Sequence, residues 1–366
     1  MERLSSRNSK RAASDGACAW TPRGEGAMVT PPATRVVVAT DKFRSTASAA
    51  AVGSAIRSAL GPKFDCEEVA QSDGGEGFRG AFVGEVLTLR VRGPWGEVHD
   101  APLTRLRASD QTTGVLEVAE IVGRGFRRSP SSSEALAASS AGVGDALVAA
   151  ARLGVDRVVV GCGGSATSDG GEGCYEEWRG AGESVTLVAA TDTTATFLGA
   201  LRYAPQKGVA STDMNLLEGR LRELAMRYER EGGRDVVPVE RAGAAGGLAG
   251  ALYALGADLV SGFEHVARAS RLAERIASAA WVVTGEGRLD TSSLEGKVVS
   301  GVCALTTADQ RVLVVCGQAE PDAVRLLQQR HPWVQVEDLV ARYGGRRARE
   351  ETLRCVEDVV ASFALR

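Results

Sequence analysis

The stretch that indicates the fold is RVVVATDKFRSTASAAAVGSAIRSALGP, residues 35–62. Residues 36–39 form a short run rich in β-branched side chains, which is typical of a buried strand. The polar segment 40–46 follows, and residues 47–60 are rich in alanine, which favours a helix. A glycine and a proline then end the helical pattern. A strand, a polar loop and a helix in this order begin the β–α unit of an α/β protein.

The same alternation of patterns continues towards the C-terminus. Further strand-like runs lie at residues 66–70, 115–118, 157–160, 185–190, 281–283 and 312–315. Helical patterns lie at residues 144–153, 214–230, 264–279 and 348–365. This alternation predicts parallel sheets whose strands are joined by crossover helices. Because the first run and the last two are similar in character, we predict that one domain is interrupted by another.

Composition limits the classes of function. The chain has 366 residues, enough for two domains, and its net charge of −3 gives no electrostatic reason to bind nucleic acid or an anionic membrane. No run of eighteen apolar residues occurs, so we predict no membrane span. The seven cysteines are scattered and never form a C-x-x-C pair, which argues against a disulfide framework or a zinc site and fits the cytoplasm.

A glycine-rich segment, GCGGSATSDGGEG at residues 161–173, follows one of the strand-like runs. Six of its thirteen residues are glycine, which allows backbone N–H groups to converge on an anion. A mobile surface loop is the plain alternative. Asp169 would repel bare phosphate unless a magnesium ion lay between them. We therefore predict a phosphate-binding loop whose binding residues are Gly163, Gly164, Ser165, Thr167, Gly170 and Gly171.

Two other segments share this chemistry. The hexapeptide SDGGEG occurs at residues 72–77 and again at 168–173, and TGEGRLD at residues 284–290 is related to it. We predict that Asp73, with Gly74 and Gly75, lies at the site, although a plain turn would also explain the first copy. In the third segment the predicted site residues are Glu286, Arg288 and Asp290, and a local ion pair is the alternative reading of the last two.

Lysine is rare in this arginine-rich chain, so the lysines in loops are candidates. Lys207 and Lys297 both lie in glycine-containing loop segments. Lys42 lies in the segment DKFRS, residues 41–45, directly after the first predicted strand. There, Asp41 could act as a base or metal ligand, and Lys42 and Arg44 could hold a carboxylate or phosphate. The alternative is that Asp41 or a serine merely caps the following helix.

Other nucleotide-binding classes fit less well. The chain has no G-x-x-x-x-G-K-[ST] loop and no protein-kinase signature. Gly161, Gly163 and Ala166 match the G-x-G-x-x-A variant of the dinucleotide fingerprint. The residues that follow are rich in glycine, however, and are predicted to be poor at forming the helix that this motif requires. An NAD(P)-linked enzyme is kept as an alternative.

Taken together, the segments resemble the bacterial type I glycerate kinases. The family's motifs are similar, in order, to the segments at residues 41–45, 73–77, 163–171, 205–208, 243–247, 284–290 and 296–297. The resemblance implies a two-domain α/β enzyme. It implies a flavodoxin-like domain from residues 35–75 and 281–366, with a second α/β domain, residues 76–280, inserted. Residues 1–34 are predicted to be a tail that is either disordered or begins at a start codon placed too early, with Met28 as the natural start.

The resemblance also implies the reaction, in which the γ-phosphoryl group of ATP passes to D-glycerate, giving 2-phosphoglycerate and ADP with Mg²⁺. Because phosphoryl transfer depends on positioning and charge neutralisation, we predict that the catalytic residues are Asp41, Lys42, Arg44, Asp73, Asp169, Asp192 and Arg288. The residues predicted to bind the nucleotide are the glycine-rich residues above with Gly74, Gly75, Lys207, Glu286 and Lys297. Those predicted to hold the metal ion are Asp73, Asp169 and Asp290.

One region departs from the family pattern. Around Asp192 the family motif is altered and the segment is shortened, with only Asp192 and Gly199 clearly retained. Two alternatives therefore stay open: a relative that binds a nucleotide or metabolite but has lost catalysis, and a kinase that forms 3-phosphoglycerate.

Overall fold

Two sheets organise the chain in the computed structural model, which describes residues 33–43 and 46–365. The strands in chain order are β1 (Thr34–Thr40), β2 (Phe64–Glu68), β3 (Glu85–Arg92), β4 (Val98–Arg107), β5 (Thr112–Glu117), β6 (Arg157–Cys162), β7 (Thr186–Thr191), β8 (Asp258–Ser261), β9 (Trp281–Leu289), β10 (Arg311–Ala319) and β11 (Val334–Asp338).

Helices connect and cover these strands. They are α1 (Ala49–Leu60), α2 (Val118–Val122), α3 (Ser132–Ala137), α4 (Ala141–Arg152), α5 (Glu172–Ala181), α6 (Met214–Gly232), α7 (Leu248–Ala254), α8 (Gly262–Ala269), α9 (Leu272–Ala277), α10 (Val298–Ala304), α11 (Pro321–Arg330), α12 (Leu339–Tyr343), α13 (Gly345–Glu350) and α14 (Thr352–Ala364). The 3₁₀ turns among the connections include Phe197–Tyr203, Pro205–Lys207 and Thr291–Leu294.

The first sheet is built from both ends of the described chain. Its strand order is β11-β10-β9-β1-β2, and every neighbouring pair is parallel. A hydrophobic core lies on each of its faces, as a sheet of parallel strands requires. One core includes Val37 and Val282, and the other includes Val36 and Val283, because successive side chains of a strand point to opposite faces.

The second sheet has the order β3-β4-β5-β6-β7-β8. Strands β5 to β8 are parallel, as predicted, whereas β3, β4 and β5 pair antiparallel. The sequence patterns predicted no strand at residues 85–107, so this antiparallel part of the second sheet was missed. These strands alternate buried and solvent-exposed side chains, so they lack the continuous apolar run by which the parallel strands were found.

Other predicted elements differ in their boundaries. The helix predicted at residues 264–279 is divided into α8 and α9, because Arg271 adopts a positive φ of 50°. The strand predicted at residues 281–283 continues to Leu289, so Glu286 and Arg288 lie on a strand and not on a loop. A helix, α5, does follow the glycine-rich segment and begins at Glu172, contrary to the expectation that this region is poor at forming helix.

The α/β class is confirmed. As predicted, strands of the first sheet come before and after those of the second sheet in the chain. Residues from Ala33 onward pack as one compact unit, so the domain boundaries remain a prediction. Residues 1–32 of the predicted tail, and Arg44, lie outside the described residues. Within the described residues, no helix combines the length and apolar character needed to cross a membrane.

Candidate active site

Two glycine-containing segments meet where strands of both sheets end. A Cβ atom on Gly163 would lie 2.4 Å from the Cα of Gly75 and 3.2 Å from Oδ2 of Asp192. The first SDGGEG copy therefore lies directly against the glycine-rich segment that follows β6. Only a residue without a side chain fits at position 163, because real Cβ atoms do not approach backbone this closely.

The point of contact is surrounded by charged side chains from three strand ends. A Cβ atom on Gly75 would lie 3.0 Å from Oδ1 of Asp73, 3.6 Å from Nζ of Lys42 and 3.9 Å from Oδ2 of Asp192. Lys42 follows β1, Asp73 lies beyond β2 and Asp192 follows β7. The fold thus brings together residues that the sequence predicted separately.

Two residues from the C-terminal part of the chain complete this group. Glu286 lies on β9 of the first sheet and Lys297 precedes α10, and both interact electrostatically with Asp41. We call the full set the central cluster; its members are Asp41, Lys42, Asp73, Asp192, Glu286 and Lys297. Four carboxyl groups face two ammonium groups, so acidic side chains outnumber basic ones in the cluster.

Burial and mutual repulsion perturb the carboxyl groups of the central cluster. Burial, and then the charge of Asp73, raise the pKa of Asp41 to about 7, although Lys42 opposes the shift. Burial raises the pKa of Glu286 to about 8, against a hydrogen bond from Ser293. Burial and Asp73 also raise the pKa of Asp192. Buried carboxyl groups of this kind are frequent at catalytic sites.

A cavity of about 450 Å³ opens on one side of the cluster. It lies between the start of α1 and residues 76–81, and it is lined largely by alanine and glycine. The polar residues that line it are Asp41, Lys42, Thr46, Ser48, Gln71 and Glu76. We call it the small-residue cavity. The side chain of Ser48 caps α1 by accepting a hydrogen bond from the N–H of Ala51.

A second cavity, of about 430 Å³, opens on the other side of the cluster. The predicted site residues that line it are Gly163, Gly164, Ser165, Asp192, Lys207, Asp290 and Lys297. Two arginines that sequence reasoning missed, Arg124 and Arg202, line it as well. Its four cationic side chains are Arg124, Arg202, Lys207 and Lys297, and the carboxyl groups of Asp192, Asp290, Glu295 and Glu320 line it as well. We call it the cationic cavity after the first set; together with a metal ion it suits a polyanion.

Asp169 is fully occupied by hydrogen bonds within the protein. Its Oδ2 accepts from the N–H and the hydroxyl of Ser140, both at 2.8 Å, and from the N–H of Gly173 at 3.4 Å. Its Oδ1 accepts from the N–H of Gly171 at 3.1 Å. This bonding favours a structural role for Asp169, at the start of α5, over the predicted role at a metal ion.

Asp290 caps the turn that follows β9. Its Oδ1 accepts from the N–H of Ser292 at 2.9 Å, from the Ser292 hydroxyl at 2.6 Å and from the N–H of Ser293 at 3.2 Å. Although burial acts in the opposite direction, the Ser292 hydrogen bonds and Lys297 lower the pKa of Asp290. The carboxylate thus lines the cationic cavity while serving as a helix cap.

Arg288 lies away from the central cluster. Its guanidinium is exposed and donates a hydrogen bond of 2.7 Å to Oε1 of Glu320. Glu286 and Arg288 are two residues apart and share a face of β9, so they differ in burial and not in direction: Oε1 of Glu286 is buried, whereas Arg288, nearer the end of the strand, is exposed. This ion pair joins Arg288 to Glu320 and is not the local pair with Asp290 that the sequence offered as the alternative.

Gly170 and Gly171 lie beneath the site instead of lining either cavity. Both have positive φ, and a Cβ atom on them would lie 2.8 Å from Leu224 and 2.4 Å from Ala251, respectively. These two glycines therefore allow α6 and α7 to pack against the turn. Their predicted role in nucleotide binding stays a prediction.

Glu117, at the end of β5, is a further residue that sequence reasoning missed. Its carboxylate accepts hydrogen bonds from the N–H groups of Gly77 at 2.8 Å and Arg79 at 3.1 Å. Burial, and then the charge of Glu120, raise its pKa to about 7. Glu117 thus attaches the first SDGGEG segment to the second sheet. The available signal was a carboxylate at the end of an apolar strand.

The donor set of the central cluster suits a magnesium ion bound together with a phosphate. Carboxylate oxygens are the ligands that Mg²⁺ prefers, and Oε1 of Glu286 is buried without a hydrogen-bond partner. Among the described residues, however, no three acidic, histidine or cysteine side chains are close enough to hold a metal ion alone. This agrees with a metal ion that takes one or two carboxylates and completes its shell with substrate oxygens.

Comparison with known proteins identifies the family. The model of the glycerate kinase family matches residues 36–178 and 175–342. The chain belongs to the glycerate kinase family. The resemblance seen in the sequence motifs is thereby confirmed, as is the expectation of a kinase.

Individual relatives agree with this assignment. The chain is 30% identical to the glycerate 2-kinase of Escherichia coli, over 81% of this chain and 88% of the relative. It is 39% identical to an uncharacterized protein of Mycobacterium bovis, over 80% and 81% of the two chains. A crystal structure assigned as glycerate kinase 2 from Salmonella typhimurium LT2 aligns with a TM-score of 0.70 and 25% identity, over 91% of this chain and 98% of that one.

Proposed function

We propose that this glycerate kinase family member transfers the γ-phosphoryl group of MgATP to D-glycerate and releases 2-phosphoglycerate and ADP. The observation that carries the proposal is the central cluster, which lies between a cationic cavity and a cavity lined by small residues. Phosphoryl transfer requires a donor and an acceptor to meet in line, with their charges neutralised. Two cavities that meet at one group of charged residues provide that arrangement.

We assign the cationic cavity to the phosphates of ATP. The backbone of Gly163 and Gly164 and the hydroxyl of Ser165 line it and can donate hydrogen bonds to phosphate oxygens. Arg124, Arg202 and Lys297 supply positive charge there. Because four carboxyl groups also line the cavity, these cations would balance a triphosphate together with a magnesium ion.

We assign the small-residue cavity to glycerate. Lys42 is the cation that lines it, and α1, which has no acidic residue in its first turn, begins at its wall. Both features stabilise a carboxylate. Asp41 lies next to Lys42, whose backbone N–H donates to Oδ1 of Asp41 at 2.7 Å. With a pKa of about 7, Asp41 is suited to accept the proton of the reacting hydroxyl near neutral pH.

A magnesium ion would be held by Asp73 and Asp192, the two carboxylates that approach Gly75. When bound, it would neutralise charge on the phosphates. Lys42 and Lys297 would balance the remaining carboxylates, and Glu117 would hold the backbone of the Asp73 segment in position. We place the protein in the cytoplasm, since six cysteines of the described chain are free thiols, as expected in a reducing compartment.

The test is a coupled assay of ADP release with D-glycerate, ATP and Mg²⁺, followed by identification of the product. We expect turnover and 2-phosphoglycerate. Formation of 3-phosphoglycerate would keep the kinase but reject the acceptor hydroxyl that we propose. Nucleotide binding without ADP release would instead support a relative that has lost catalysis through the shortened segment near Asp192.

Replacing Lys42 by Met should weaken glycerate binding more than ATP binding.

A further inference from the structure

The ammonium group of Lys207 is attached to the glycine-rich segment by two short contacts. Its Nζ donates to the hydroxyl of Ser165 at 2.8 Å and to the carbonyl oxygen of Thr167 at 2.6 Å. Hydrogen bonds from a charged donor at these distances are among the strong ones in proteins. Lys207 therefore joins a hydroxyl and a carbonyl that are two residues apart on the segment.

The turn that carries Lys207 is itself fixed in place. It is the 3₁₀ turn Pro205–Lys207, and it ends at Gly208, whose φ is 100°. A Cβ atom on Gly208 would lie 2.8 Å from the carbonyl oxygen of Pro130. Proline at the start and a close-packed glycine at the end restrict the backbone of the turn, and the two hydrogen bonds of Nζ then orient the lysine side chain.

Lys207 also lines the cationic cavity, together with Ser165. An ammonium group has three N–H donors, and the two contacts above use two of them. Among the described residues, Nζ of Lys207 makes hydrogen bonds to these two oxygens only, which leaves the third N–H for a ligand. One side chain thus both supports the glycine-rich segment and can donate to an anion beside it.

The charges around Lys207 are mixed. Asp169 and Asp192 favour its ammonium form, whereas Arg124 opposes it. Burial is the largest effect, and it lowers the pKa of Lys207 to about 7. A neutral amine that kept both contacts would direct its lone pair, instead of a proton, at an incoming phosphate.

We propose that Lys207 is a positioning residue for the nucleotide: it holds Ser165 and Thr167 in the phosphate-binding arrangement and takes up a proton when a triphosphate enters the cationic cavity. This inference rests on the proposed function, because it requires ATP to occupy that cavity. It adds a defined proton linkage, which neither a structural lysine nor a simple phosphate ligand with an ordinary pKa would show at pH 8.

The experiment measures binding of a non-hydrolysable ATP analogue, the imidodiphosphate, with Mg²⁺. Titration calorimetry at pH 8 in two buffers of different ionisation enthalpy gives the protons exchanged per nucleotide. The variants are Lys207→Met and Ser165→Ala, and Lys63→Met is the matched control, since Lys63 is exposed on a distant turn. Subtracting the protons exchanged by Lys207→Met from those exchanged by wild type removes the exchange that the two proteins share.

We expect wild type to take up close to one more proton per nucleotide than Lys207→Met, because the phosphates are already ionised at pH 8. Lys207→Met should bind the analogue about tenfold more weakly or worse, as loss of a charge-assisted hydrogen bond implies. Ser165→Ala, which removes one partner and leaves the lysine, should weaken binding less and retain the proton uptake. Lys63→Met should match wild type.

Equal affinity and equal proton exchange in wild type and Lys207→Met would overturn the inference, while ADP release with glycerate would leave the proposed function standing. Wild type that neither binds the analogue nor phosphorylates glycerate would overturn the proposed function and the inference with it. If Lys207→Met does not fold, the affinity of wild type and of Ser165→Ala for the analogue is measured between pH 7 and pH 9. The proton linkage requires this affinity to fall as the pH rises. An affinity that stays constant in both proteins would reject it.

Discussion

At the scale of single residues, the site concentrates buried charge that the fold must stabilise. Asp41, Glu286 and Glu117 all have raised pKa values, and burial is the largest cause for each. A carboxyl group whose pKa is higher in the folded state than in the unfolded chain binds protons more tightly when folded. Such groups stabilise the fold at low pH, and this contribution is lost as the pH rises.

Replacing Asp41 by Asn should therefore stabilise the protein in a pH-dependent way. The pKa of Asp41 rises from 3.8 to about 7 on folding. Ionised Asp41 therefore lowers the free energy of unfolding, and this loss grows as the pH rises from about 4 to about 7. We expect the variant to gain on the order of 1–3 kcal/mol in the free energy of unfolding at pH 8, and less at pH 5. Urea unfolding at the two pH values measures this. A gain in the free energy of unfolding that is the same at pH 5 and pH 8 would contradict the raised pKa of Asp41.

Replacing Asp169 by Asn separates a structural role from a metal role. The amide can accept at one oxygen only, so N–H groups from Ser140 or Gly171 lose their acceptor. We expect a loss of about 2–3 kcal/mol in the free energy of unfolding, with reduced turnover. Asp110→Asn, at an exposed position, is the control. Unchanged stability with turnover reduced a hundredfold would instead favour a direct role at the metal ion.

At the scale of elements, the site depends on two turns whose backbones touch. The first SDGGEG copy is attached to the second sheet through Glu117, and through Arg79, which forms a bidentate ion pair with Glu120 at 2.7 and 2.9 Å. The glycine-rich segment is attached through Lys207 and Asp169. Loops held at several points by side chains are preorganised, which reduces the entropy lost when a substrate binds.

Replacing Gly163 by Ala should separate these two turns. The added methyl group would lie 2.4 Å from the Cα of Gly75, and neither backbone can move without displacing Asp73 or Asp192. We expect a loss of at least 1–3 kcal/mol in stability, as for overpacking in a core, and turnover reduced more than a hundredfold. Thermal unfolding and the coupled assay measure both.

The matched control is Gly219→Ala. Gly219 lies on the exposed face of α6, and a Cβ atom there meets nothing within 4 Å. Alanine favours helix over glycine by about 0.5–1 kcal/mol, so this variant should be slightly more stable and equally active. If Gly163→Ala behaved in the same way, the close contact of the two turns would be refuted.

At the scale of the whole molecule, the site is assembled from both sheets. The cationic cavity takes residues from the second sheet and its loops, such as Ser165 and Asp192, and from the chain beyond β9, such as Lys297. A ligand in this cavity contacts parts of the chain that are far apart in sequence. Its binding energy therefore adds to the stability of the entire folded unit.

MgATP at about 100 times its Kd should raise the free energy of unfolding by about 2.7 kcal/mol. NAD⁺ should have no such effect. In the segment that matches G-x-G-x-x-A, Gly161 belongs to β6 and Gly163 packs against Gly75, so these glycines do not form the turn that would hold a dinucleotide. Thermal unfolding with each ligand tests this. Stabilisation by NAD⁺ but not by MgATP would support the dehydrogenase alternative.

The sequence by itself determined the α/β class, the parallel strands and the segments that carry the chemistry. Apolar runs such as residues 157–160 and glycine-rich turns such as residues 72–77 are local signals, set by burial of strands and by backbone freedom. Local patterns could not find β3 and β4, whose half-exposed faces resemble surface, or the continuation of β9 through Glu286.

Only the tertiary structure decided which candidates act together. Asp73 and Asp169 occur in identical hexapeptides, yet one reaches the central cluster and the other is bonded to Ser140. Glu117, Arg124 and Arg202 became site candidates only when distant segments were brought side by side. The physical reason is that burial, hydrogen-bond partners and neighbouring charges arise from long-range packing, and identical local sequences therefore acquire different chemistry.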